Sequence, residues 1–263
     1  MMIVKVGGGA SLNLEGIVAD LAQLDQPFMV VHGANVLRDH IATQMGYEKQ
    51  ILTSLSGYTS VFSDAAALDS ILMAYSGLRN KRLVEMCQQN NINAVGLTGL
   101  DGRIVQGQRN RGIRVEENGK KMLKRDLSGK PRSINSELLN LLINNGYVPV
   151  LTIPIADETG TAINSENDDI VCELQKALDA QVVIQLIEAP GFMEDINDPN
   201  SLHPRLRREQ LHEREEQAEG RIKRKLHALN KLAKGSVETI VISDGRIEHP
   251  IRDALAGAGT WIQ

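Results

Sequence analysis

The stretch MMIVKVGGGASLN places Lys5 inside an apolar run, residues 3–6, with Gly7, Gly8 and Gly9 directly behind it. A lysine in a buried strand is costly unless an anion meets it. Glycines at a strand end let backbone N–H groups approach phosphate oxygens, and a lysine at that end can point into the same cleft. The order is not that of a Walker loop, whose lysine follows its glycines, nor is it GxGxxG. On these residues alone, a phosphate cradle fits as well as a tight β–α turn whose lysine snorkels to solvent. A second glycine turn, MVVHGAN at 29–35, also follows an apolar strand and precedes a helix. In an open parallel sheet, ligands bind beyond the carboxyl ends of strands, where two such turns share one crevice. His32 by itself reads as a packed strand-end residue. Asn167 or Asp168, in INSEND at 163–168, reads as a helix cap. GRIKRK at 220–225 reads as a basic helix face.

Six continuous Val/Ile/Leu runs would carry these turns: 3–6, 28–32, 94–98, 148–153, 182–187 and 239–243. Runs without alternation suit strands covered on both faces of a parallel sheet. Helical patterns separate them at 14–24, 65–74, 81–90, 136–144, 168–178 and, in one long piece, 209–232. This alternation predicts an α/β fold, a three-layer αβα sandwich with a mainly parallel central sheet. One domain over 1–263 is expected.

The segment GRIVQGQRNRGIRVEENGKKMLKRDLSGKPR at 102–132 breaks the rhythm. Asn118-Gly119 is a hairpin turn signal, with short strands on either side. The arm is dense in Arg and Lys although the chain carries a formal charge of −4. It reads either as a solvated hairpin or as a docking surface for an acidic partner. The acidic balance argues against a nucleic-acid binder. The chain enters a strand at once, and no apolar run reaches the roughly 18 residues of a membrane span. Cys87 and Cys172 have no CxxC or metal spacing. A reduced, cytoplasmic protein is expected.

Together these pieces resemble the amino acid kinase family, and within it the acetylglutamate kinase branch. KVGG is similar to that family's first glycine loop, VHGAN to its VHGGG or VHGGS loop, INSEND to its N-x-N-x-D element, and GRIKRK to its G-x-M-x-x-K helix entry. The similarity runs over about residues 2–262. SLSGYTS at 54–60, AVGLTGLDGR at 94–103, KRDLSG at 124–129 and SDGRIEHPI at 243–251 resemble the branch members that act on carrier-bound aminoadipate or glutamate.

The resemblance implies transfer of the γ-phosphoryl group of ATP, with Mg2+, to a side-chain carboxylate, giving an acyl phosphate for lysine or arginine synthesis. It assigns Lys5, Asp168 and Lys225 to catalysis, with Asp168 holding both ammonium groups. Gly7 and Gly8 would bind phosphate. Ala34, Asn35, Val61 and Asn164 would line the substrate site. A small acidic amino-group carrier protein would dock on Arg109, Arg111, Arg114, Lys120, Lys121, Lys124 and Arg125. Residues 1–160 would form the substrate-binding and dimerisation lobe and 161–263 the nucleotide lobe, in a homodimer. Val61 stands where the family pattern has an arginine for the substrate α-carboxylate, so another cation takes over or the substrate differs at that end. Ala34 in the glycine turn narrows the space for a backbone approach. Two alternatives follow: a kinase of free N-acetylglutamate, and a non-catalytic carrier-binding regulator.

Overall fold

The computed structural model describes every residue except 56–58, 118, 196 and 219, and the side chains of all but these and 59, 60, 117, 199, 220–222 and 224. The first elements are β1 (Met2–Val6), α1 (Leu14–Leu21), β2 (Phe28–His32), α2 (Asn35–Gln44), β3 (Ile51–Thr53), β4 (Thr59–Val61) and α3 (Ala65–Ile71). A π-helical stretch, Leu72–Arg79, carries α3 straight into α4 (Asn80–Gln89). Then come β5 (Ala94–Thr98), β6 (Val105–Arg109), β7 (Ile113–Glu117), β8 (Lys120–Lys124), β9 (Gly129–Ile134), α5 (Ser136–Asn144), β10 (Val148–Thr152), β11 (Ile155–Ala156) and β12 (Ala162–Ile163). The remainder is α6 (Asn167–Leu178), β13 (Val182–Ile187), β14 (Arg205–Leu206), α7 (Gln210–Gln217), α8 (Gly220–Ala233), β15 (Thr239–Asp244), α9 (Pro250–Leu255) and β16 (Thr260–Ile262).

The six strands expected from the sequence are contiguous in the main sheet, in the order β15-β13-β1-β2-β10-β5, and all are parallel. β16 joins β15 antiparallel, and β14 pairs with β16 at the edge. Both faces are covered, which is why the runs read as unbroken apolar sequence. Ile3, Met29, Leu151 and Val183 face a core built with α3, α5, α6 and α8. Met2, Val4, Val30 and Ile184 face a second core built with α1, α4 and α9. The chain leaves β1 toward β2 on one side and meets β13 on the other, so the carboxyl end of β1 is a topological switch point.

The helix expected over 209–232 is two helices. Ala218 is extended (φ −87°, ψ 158°) and ends α7, and α8 begins at Gly220. A second, four-stranded sheet has the order β12-β11-β6-β9. β7 and β8 form a two-stranded antiparallel ladder with Val115 opposite Met122; the Asn118 turn between them lies outside the described residues. No helix among the described residues is long and apolar enough to cross a membrane.

Candidate active site

The two glycine turns interlock at the ends of β1 and β2. Gly7 N–H donates to Leu186 O (2.9 Å) and Gly33 N–H to Val6 O (2.9 Å), fixing both turns to the sheet. A Cβ on Gly8 would stand 2.6 Å from Asn35 N and 2.7 Å from Ala34 N, and one on Gly33 would stand 2.9 Å from Gly8 N. Only glycines allow this approach, and it gathers the amides of Gly8, Ala34 and Asn35 in one place. Ala34 occupies the cap position of α2 and offers no side-chain acceptor to the first-turn amides. The Val36 N–H in that turn donates instead to Gly8 O (3.2 Å), which binds the two glycine turns together. Ala34 is fully buried and packs within the core.

Lys5 has its anion. Its Nζ lies 2.6 Å from Asp168 Oδ1, with side chains only 10% and 17% exposed. That oxygen makes no aligned hydrogen bond, so the contact is ionic. Asp168 and Asp169 occupy the first turn of α6, where the helix dipole favours carboxylates. Asn167 Nδ2 donates to His32 O (2.9 Å), which draws the start of α6 to the end of β2. Among the described residues, buried Ser165 Oγ and Asn167 Oδ1 have no hydrogen-bond partner, as expected where a polar ligand completes a site. From α8, Lys231 pairs with Asp169 at 3.0 Å. Lys225 lies exposed on the same helix. Glu188, at the end of β13, accepts from Ser11 Oγ (2.6 Å) and Ser11 N–H (2.8 Å), tying the first glycine loop to the C-terminal half. The Ser11 hydroxyl and N–H hold the Glu188 carboxyl below its usual range.

His32 is a structural residue. It is fully buried, and desolvation pulls its pKa down to about 3. Asn80 Nδ2 donates to its Nε2 (3.1 Å) and to Val150 O (2.9 Å), which leaves Nδ1–H to face Gly33 O (3.3 Å). Cys87 and Cys172 are buried, and desolvation raises their thiols to about 11 and about 12, so both are inert. Among the described residues no cluster of His, Cys, Asp and Glu could hold a metal ion. A concavity of about 560 Å³ between the ends of α1 and α4 is lined by no ionisable side chain; volume does not locate the chemistry.

Half-buried Val61 ends β4, and Asn164 Nδ2 donates to Ser63 Oγ (3.0 Å) just beyond it. The expected docking residues divide into two groups. Lys121 at the arm's tip stands opposite Glu116 in the ladder, which offsets its charge, and Lys120 pairs in register with position 117. Arg114 and Arg125 are exposed, and Lys124 is half-buried. At the base, Arg109 and Arg111 share a concavity of about 270 Å³ with Gln108, Asn110, Lys130 and Arg132. Its lining carries four cations and no carboxylate, although Glu158 accepts from the Arg109 backbone N–H (3.1 Å). Lys130 and Arg132 escaped the sequence reading. Their signal is the two-residue spacing in β9, which puts both on one exposed face.

The sequence matches the model of the amino acid kinase family over residues 1–244. The chain belongs to the amino acid kinase family. A [LysW]-aminoadipate kinase of Thermus thermophilus is 36% identical over 269 residues, covering 100% of both chains. One of Deinococcus radiodurans is 39% identical over 266 residues, covering 100% of this chain and 91% of its own. An acetylglutamate kinase of Methanopyrus kandleri is 30% identical over the full length of both chains. Among solved structures, N-acetylglutamate synthase from Neisseria gonorrhoeae superposes with a TM-score of 0.78 at 18% identity, over 99% of this chain and 58% of that one. The isopentenyl phosphate kinase of T. acidophilum does so with a TM-score of 0.61 at 15% identity over the full length of both. These two likenesses show the fold. By its family and its kinase relatives the chain is a phosphotransferase, and the family implies ATP use.

Proposed function

We propose that this kinase phosphorylates the side-chain carboxylate of a 2-aminoadipate or glutamate borne by a small acidic carrier protein, using MgATP, in lysine or arginine biosynthesis. The Lys5–Asp168 pair beside the gathered amides of Gly8, Ala34 and Asn35 carries the reading. A carboxylate of pKa about 4 is already ionised at neutral pH, so the acceptor needs no general base. What remains is in-line placement and neutralisation of charge on the transferring group. Lys5 and Lys225 supply that charge from two sides, Asp168 keeps Lys5 in place, and the Gly7–Gly8 loop holds the phosphates. Mg2+ fits as an ion carried by the nucleotide, whose phosphate charge it offsets. Asn164, Asn35 and Val61 border the acceptor, with buried Ala34 behind them as part of the turn.

The names of the Thermus and Deinococcus relatives support the carrier, and the four cations at the base of the arm supply a surface for its acid. The arm's Arg109, Arg111, Arg114, Lys124 and Arg125 join Lys130 and Arg132 there, with Lys120 and Lys121 secondary. Residues 1–160 serve the acceptor and a homodimer contact, 161–263 the nucleotide, and the protein is cytoplasmic. Val61 favours one qualification: the acceptor's α-end is not held by an arginine at this position.

The test is hydroxylamine trapping with ATP and, in parallel, carrier-bound aminoadipate, carrier-bound glutamate and free N-acetylglutamate. Hydroxamate from a carrier-bound acceptor alone is expected. Equal turnover of free N-acetylglutamate would remove the carrier, and no hydroxamate from any acceptor would overturn the reading. Unchanged turnover in Lys225→Ala would take Lys225 out of the phosphate site.

A further inference from the structure

The arm's base and the acceptor site are joined through one buried carboxylate. Asp126 follows β8 by two residues and is 4% exposed. Its Oδ2 accepts from Ser63 N–H (3.2 Å) and its Oδ1 from Ser128 Oγ (2.6 Å). Ser63, fully buried, accepts from Asn164 Nδ2 through its hydroxyl (3.0 Å) and from Leu127 N–H through its carbonyl (2.6 Å). Asn164 N–H donates to Leu127 O (2.8 Å) and Gly129 N–H to Asn164 O (2.9 Å). The two ends of the arm are clamped together by Asn110, whose N–H and Nδ2 bond Ser128 O (2.9 Å) and Ser128 Oγ (2.8 Å). Arg109 Nε completes the knot on Asp126 O (3.2 Å).

We propose that Asp126 is a positioning residue: it locks the base of the β7–β8 arm to Ser63 and, through Ser63, sets the Asn164 side chain toward the acceptor. This rests on the function proposed above. The chemical reason is that a buried carboxylate holding two donors fixes both segments, and loss of either partner strands a desolvated polar group. Three segments, the outer two 101 positions apart in sequence, therefore move as one unit. A partner seated on the arm then presents its acceptor in register with Asn164.

The test uses Ser63→Ala, which removes the acceptor of Asn164 Nδ2, Asp126→Asn, which keeps the volume, and their combination. KM for the carrier-bound acceptor is expected to rise about tenfold in each, with kcat and KM for ATP within about twofold. The double variant is expected to be no worse than the worse single one, since both act along one path. An unchanged acceptor KM, or equal losses for ATP and acceptor, overturns the proposal. Hydrogen exchange reads it without turnover. In Asp126→Asn the Ser63, Leu127 and Asn164 amides should exchange about tenfold faster together, while those of β1 stay unchanged. Faster exchange at Ser63 alone overturns the proposal even if the protein turns over no carrier-bound acceptor, an outcome that would separately defeat the functional reading.

Discussion

Asp168→Asn and Lys5→Met remove the same ion pair and should have unequal effects. Asp168→Asn leaves an ammonium, 10% exposed, in the sheet with no anion. Breaking a buried pair from one side costs about 3–5 kcal/mol, and partial exposure here puts the expectation at or just below the lower end, about 2–3 kcal/mol. Lys5→Met fills the same volume and leaves a carboxylate in the first turn of α6. There the dipole returns about 0.3–1 kcal/mol, so the loss should be about 1 kcal/mol or less. The double variant, with neither charge, should be more stable than Asp168→Asn alone. MgATP should reverse the order of damage, because phosphate oxygens give the stranded Lys5 a new partner. Urea unfolding with and without nucleotide measures all of this. The nucleotide-dependent gain should be largest in Asp168→Asn and smallest in Lys5→Met. Turnover should fall about 10²–10³-fold in Lys5→Met, the cost of one preorganised charge contact to a developing anion. A larger destabilisation by Lys5→Met, or strictly additive losses in the double variant, would refute the argument that Lys5 is retained for phosphate.

Burial keeps His32 neutral with a pKa of about 3, against 6.5 for the free group. The unfolded chain therefore takes up a proton that the folded one refuses, and stability present above pH 6.5 is lost as pH falls toward 3. At pH 4.5 the loss is about 2–3 kcal/mol. Urea midpoints at pH 7 and 4.5 should show that slope in the unmodified protein and a shallower one in His32→Gln; equal slopes would refute it. Neutralising Arg111, Lys130 and Arg132 together should raise KM for the carrier-bound acceptor about tenfold at low salt and leave KM for ATP unchanged, with a smaller effect from Lys120 and Lys121. Val61→Arg should lower KM about tenfold for an acceptor with a free α-carboxylate, since a charge-assisted pair contributes about 1.5–3 kcal/mol, and should leave its α-amide unaffected.

The central strands were legible because each is a continuous β-branched or aliphatic run covered on both faces. Their ends fall within a residue or so of the sequence reading. β14, of two residues, and β16, of three, are too short to show any period, and α9 offers one helical turn and a half. The break between α7 and α8 was missed because Glu, Gln and Ala, good helix formers, fill the approach to Gly220. The π stretch has no signature distinct from α-helix in residue type. Lys5 was legible as a chemical residue because its charge contradicts its strand. Asp126 and Ser63 were not, because neither contradicts its surroundings until the chain folds: their shared bond spans 63 positions, and Ser63 meets Asn164 across 101.

Val61 shows why the phosphate end of the site could be read more fully than the acceptor end. The frame around it does not depend on its side chain. Its carbonyl accepts from Ser63 Oγ (3.3 Å), Ser63 is held by Asp126, and Asp64 caps α3 by accepting from Ala67 N–H (2.9 Å). An arginine can therefore be exchanged for valine with the backbone and Asn164 left in place. Arg38, in α2 just past the glycine turn, does not stand ready as the substitute, since its Nε and Nη2 are both on Asp39 Oδ1. The proposed phosphate site, by contrast, draws on the end of β1, the start of α6 and two interlocked glycine turns, where altering one residue displaces its neighbours. Selection on the acceptor can thus change one side chain at β4 without cost to the fold, whereas the phosphate end holds its residues through packing as well as chemistry.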